Sequence, residues 1–148
     1  MTHCDPATTA ALDQLSAAHR TVQDLAVRTM GPGHSGPLAD LPAWFQKALL
    51  DAYTTPGFAA GPCTHLPVGR GPQPVMVWAE TPTRARCAPC NERDQHRRTC
   101  AECERSSSDN FRDWTLRGAE IGIGILFTAL RCPDCAEGRE VRRRGSTR

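Results

Sequence analysis

Apolar residues recur at three- and four-residue steps through the first thirty positions: Leu12, Leu15, Val22, Leu25, Ala26 and Met30. That is the spacing of one helix face. Polar Asp13, Gln14, Arg20, Gln23 and Asp24 fall on the other side, and His19 lies at the boundary. Asp5 followed by Pro6 supplies a cap and a first-turn proline, so the pattern predicts a helix over residues 6–30. The Gly/Pro-rich stretch 31–37 cannot continue either periodic structure. Asp40 then reads as the cap of a second helix over residues 41–53, with Pro42 in its first turn. Trp44, Phe45, Ala48, Leu49, Ala52 and Tyr53 make its apolar face, and two antiparallel helices packed together are the expected arrangement.

Past residue 58 the pattern changes. Residues 75–79 form a short β-like run, and 111–116 and 121–130 read as two strands joined at Gly118. Residues 91–98 suit a short helix or a turn, and 139–148 form a polar, partly helical tail. The expectation is therefore an α+β chain. It has a helical region at 1–58, a small two-metal domain with short β-hairpins at 59–138, and a basic tail at 139–148.

Composition sharpens this. The 148 residues include 12 Gly and 12 Pro and few aromatics, so a large apolar core is not expected and staples are. The staples are visible as cysteines. Cys87-Ala-Pro-Cys90, Cys100-Ala-Glu-Cys103 and Cys132-Pro-Asp-Cys135 are three Cys-x-x-Cys pairs, preceded by Cys63-Thr-His65. A Cys-x-x-Cys turn holds two sulfurs at the spacing a tetrahedral zinc requires. Disulfides are the competing use, but residues 1–30 show no signal-peptide pattern, and close pairs suit metal ligation better than a bridged framework. Cys4 is left over as a free thiol.

Eight ligands make two sites. Sequential pairing joins Cys63, His65, Cys87 and Cys90 on one ion, and Cys100, Cys103, Cys132 and Cys135 on the other. Interleaved pairing joins Cys63 and His65 to Cys100 and Cys103, as in a cross-brace. The order of the Cys-x-His element departs from that of a RING finger, so sequential pairing is preferred. On that pairing the second site resembles a zinc ribbon or a treble clef, in which a knuckle, a hairpin and a Cys pair at a helix start surround one zinc. The resemblance covers residues 63–144 and implies two Zn2+ ions in structural roles. Thiolate and imidazole donors in closed four-coordinate sites suit zinc; iron in the all-cysteine site, as in a rubredoxin-like centre, is the alternative.

The chemistry of catalysis is harder to find. No His-Glu-x-x-His helix and no deaminase signature occurs, and a thioredoxin-type dithiol lacks its βαβ setting. Glu102 and Asp134 sit inside ligand turns, where solvent-facing positions are expected. The reading is thus non-enzymatic: a zinc-stabilised adaptor with a protein partner, anchored by exposed helix aromatics. The alternative is DNA or RNA binding through Arg84, Arg86, Arg93, Arg97, Arg98, Arg105 and the tail residues Arg142, Arg143 and Arg144. Glu92, Asp94, Glu102 and Glu104 dilute that cluster, and the net charge is only +2. The most apolar run, 121–130, is about half the ~20 residues a membrane span needs, so a soluble, cytoplasmic protein is expected. Lys47 is the one lysine among 18 basic residues, a bias that resembles translation from a GC-rich genome such as an actinobacterium or its phage.

Overall fold

A computed structural model describes residues 6–31, 36–65, 74–93, 98–107, 112–122 and 124–139. Helix α1 (Pro6–Met30) matches the expected span, and a 3-10 turn (Leu38–Asp40) precedes α2 (Ala43–Tyr53). Asp40 does not cap α2. The residue before that helix is Pro42, and no side chain bonds to its free N–H groups. Then come β1 (Gly61–Pro62), β2 (Val75–Trp78), β3 (Arg84–Ala85), α3 (Ala88–Arg93), β4 (Thr115–Glu120), β5 (Ile125–Arg131) and α4 (Pro133–Ala136). The chain is α+β, with short strands in small sheets.

The main sheet has the order β2-β5-β4. β2 runs parallel to β5, with Val75 opposite Ile125, and β4 runs antiparallel to it, with Gly118 opposite Thr128. Successive side chains on a strand point to opposite faces, and here both faces are apolar. Val77, Ala119, Phe127 and Ala129 point to one face and bury Phe45, Ala48, Leu49 and Ala52 of α2. Met76, Trp78, Leu126 and Leu130 point to the other and bury Val22, Leu25, Ala26 and Met30 of α1. The two helices therefore cover opposite faces of the sheet and line separate cores, where the sequence suggested a helical pair. That explains why β2 and β5 read as continuous apolar runs rather than alternating ones. Thr128, wholly buried, donates its hydroxyl to the Val77 carbonyl at 3.3 Å.

The hairpin is displaced from its expected turn. β4 runs through Gly118 to Glu120, and beyond it Gly122 and Gly124 take φ of 70° and 84° before β5 begins. Gly118 serves packing instead. A Cβ there would lie 2.5 Å from Met30 Cε, so Gly118 leaves the space that the end of the Met30 side chain fills. Among the described residues no helix is long and apolar enough to cross a membrane.

Candidate metal centres

The strands deliver cysteines to two places: the main sheet to one, and a two-stranded parallel ladder of β1 and β3 to the other. β5 ends at Arg131 and runs directly into Cys132 and α4. Its parallel bridge from Leu130 to Cys100 brings the Cys100–Cys103 turn alongside. The sulfurs of Cys100, Cys103, Cys132 and Cys135 all lie within 4.8 Å of one another. Cys100 Sγ is 3.8 Å from Cys135 Sγ, and Cys103 Sγ is 3.7 Å from Cys132 Sγ. Four sulfurs around a zinc at about 2.3 Å stand about 3.8 Å apart, so this set has the dimensions of a tetrahedral site.

The second cluster joins Cys63, Cys87 and Cys90 within the same limit. His65 lies beside it, with Nδ1 3.1 Å from Cys90 Sγ. The cysteines thus group sequentially, and among the described residues the interleaved grouping does not occur. These two cysteine clusters have the donors and the spacing to hold metal ions.

Both clusters repeat one local plan. Each later pair straddles a helix start: the Cys87 carbonyl accepts from Asn91 N–H at 2.9 Å, and the Cys132 carbonyl from Ala136 N–H at 3.0 Å. The N–H of Cys87 donates to Cys63 Sγ at 3.3 Å, and that of Cys132 to Cys100 Sγ at 3.4 Å. Each early turn is also pinned to the strand that feeds the later pair. Cys63 N–H donates to the Ala85 carbonyl at 2.9 Å and Ala101 N–H to the Leu130 carbonyl at 2.8 Å. Cys-x-His in one early turn and Cys-x-x-Cys in the other hid this repeat in the sequence.

Those bonds divide the thiols. Desolvation pushes Cys63 and Cys100 up, but the donated Cys87 and Cys132 N–H groups, with further bonds nearby, outweigh it and hold both below their ordinary value. Desolvation and the neighbouring sulfurs push Cys90 up to about 11 and raise Cys135 further. Desolvation also raises Cys103. Each cluster therefore keeps protons at neutral pH that a cation would have to displace.

The surroundings differ. At the all-cysteine cluster Cys100 and Cys132 are buried, and the acids inside the ligand turns are tied down. Glu102 pairs with Arg131, and Asp134 with Arg105 at 2.6 Å and Arg139 at 3.6 Å. Neither acid is the free solvent-facing group expected. The Cys63 cluster opens onto a groove of about 400 Å³ lined by Pro62, Thr64, His65, Arg84 and Cys90.

Between the clusters lies a buried polar link that sequence reasoning missed. Trp78 Nε1 donates to Asn91 Oδ1 of α3 at 2.6 Å. The Arg98 guanidinium covers the Trp78 ring 3.8 Å from its centroid and reaches Glu80 at 3.2 Å. The polar run around Arg98 gave no hint of burial, yet the residue is 2% exposed.

Among the described residues, the arginines nominated for nucleic acid are not all exposed. Arg86 and Arg98 are buried, Arg105 is engaged with Asp134, and Arg84 and Arg93 are exposed beside the Cys63 cluster. Arg93 directs a nitrogen at Cys90 Sγ, 3.8 Å away. Arg97, Arg142, Arg143, Arg144 and Cys4 lie outside the described residues. No protein-family model, no curated protein and no solved structure matches the chain.

Proposed function

We propose that the chain is a zinc-stabilised, non-enzymatic module that binds a protein partner. Cys100, Cys103, Cys132 and Cys135 hold one zinc, and Cys63, Cys87 and Cys90 with His65 hold the other. Zinc is favoured by the thiolate-rich donor set and by sulfur separations that suit a tetrahedron. The adaptor role rests on one observation: each helix leaves large apolar side chains uncovered among its polar ones. Leu12 and Leu15 on α1 are 55% and 37% exposed, and Leu50 and Tyr53, one turn apart on α2, are 61% and 67% exposed. Of the candidate nucleic-acid arginines, Arg98 and Arg105 are engaged in internal ion pairs. Apolar and aromatic anchors of this kind suit protein contacts.

The test is a photo-crosslinking residue placed at Tyr53 in the full chain, in its native cell. A discrete adduct with one polypeptide, lost when Leu50→Asp is added, is the expected result. No adduct at Tyr53 or at Leu15 would overturn the adaptor reading. A nucleic-acid role has the exposed Arg84 and Arg93 in its favour. It requires retention on DNA or RNA that weakens steeply with salt, and the expected result is a slope near zero.

A further inference from the structure

The two clusters share a backbone plan but not a finish. In the all-cysteine cluster four sulfurs close the tetrahedron. In the other, three sulfurs come together and, among the described residues, no further His, Cys, Asp or Glu joins all three. His65 meets the triad at one edge, with its Nδ1 3.1 Å from Cys90 Sγ. The side chain is exposed, at the edge of the groove of about 400 Å³. Closed four-ligand sites are structural, whereas three protein ligands leave a position for an outside group.

We infer that His65 is a displaceable arm, and that the Cys63–Cys87–Cys90 site takes a small-molecule thiolate in its fourth position. This rests on the metal reading above. Two features select the ligand class. A metal already bearing three thiolates is a soft centre, and a fourth sulfur matches it. Arg84, exposed on the groove wall, and Arg93, 3.8 Å from Cys90 Sγ, offset the added negative charge. The groove also has the volume for a small organic thiol. The all-cysteine cluster offers no such position, because its fourth sulfur comes from the chain.

The experiment loads the full chain with cobalt(II), whose sulfur charge-transfer bands count thiolates, and titrates it anaerobically with 2-mercaptoethanol. The expected result is a saturable gain of one thiolate beyond the seven of the two clusters, with no cobalt released. If His65 holds the position about nine-tenths of the time, His65→Ala tightens thiol binding roughly tenfold. A spectrum that stays unchanged in both proteins overturns the inference, as does thiol that strips the cobalt out. Failure of the metal reading is a separate result: a chain that does not take up cobalt at both clusters before any thiol is added.

Discussion

Trp78 shows how much structure one side chain can organise. Its indole N–H is satisfied by Asn91, just past Cys90, and its ring is covered by Arg98, just before Cys100. Asn91→Leu would leave the buried N–H without an acceptor, at a cost of about 1–3 kcal/mol. Urea unfolding in excess zinc measures it, and an unchanged midpoint would remove the bond from the account. Glu80 belongs to the same group. Burial pushes its carboxyl above the usual range, and Arg98 pulls it back only in part. The folded chain thus binds that proton more tightly than the unfolded chain, and the Glu80 contribution to stability falls as pH rises through the raised value. Glu80→Gln should flatten this slope on the alkaline side of the ordinary carboxylate range. An identical slope in the variant would assign it elsewhere. Gly118 is a contact of a different kind. Gly118→Val overpacks against Met30 and should cost about 1–3 kcal/mol, with less than additive loss in combination with Met30→Ala. Full additivity would mean that the two sites do not touch.

At the scale of elements, the sequence was clear where the signal is local. The period of α1 and the Cys-x-x-Cys turns follow from spacings of a few residues, whereas sequential grouping was preferred over the interleaved one only from the place of the Cys-x-His element. What it did not reveal is non-local. β2 and β5 pair in parallel across the whole stretch from Val75 to Ile125, and no short-range pattern reports such a partner. The same gap placed the helices on each other, because an apolar helix face does not say which surface covers it. The turn was misplaced for a related reason: Gly118, Gly122 and Gly124 are equally permissive in sequence, and it is the pairing of Gly118 with Thr128, under Met30, that puts the first in a strand. Phe127 stacks edge-to-face on Phe45, with centroids 5.6 Å apart, on the face that α2 covers. Phe127→Ala should cost about 3–5 kcal/mol and loosen α2 before α1, read by hydrogen exchange along each helix. Equal loosening of both would contradict two separate cores.

At the scale of the molecule, short strands bring each cysteine cluster together, and on the proposed zinc reading the bound ions add the stability that modest cores lack. Structural zinc binding is itself folding free energy, so Cys132→Ser should unfold the C-terminal half. A folded, soluble variant would show that the sheet suffices. Protons enter the same balance. Cys90 and Cys135 hold theirs tightly without metal, so binding releases protons and affinity falls as pH falls. Calorimetry in buffers of differing ionisation enthalpy should detect that release, and a heat independent of buffer would contradict it. The most direct test of the central claim is metal content per chain, with an absorbance spectrum, on protein purified without added metal. The account predicts two zinc ions and no visible colour. Protein without metal, its cysteines paired as disulfides, would contradict it.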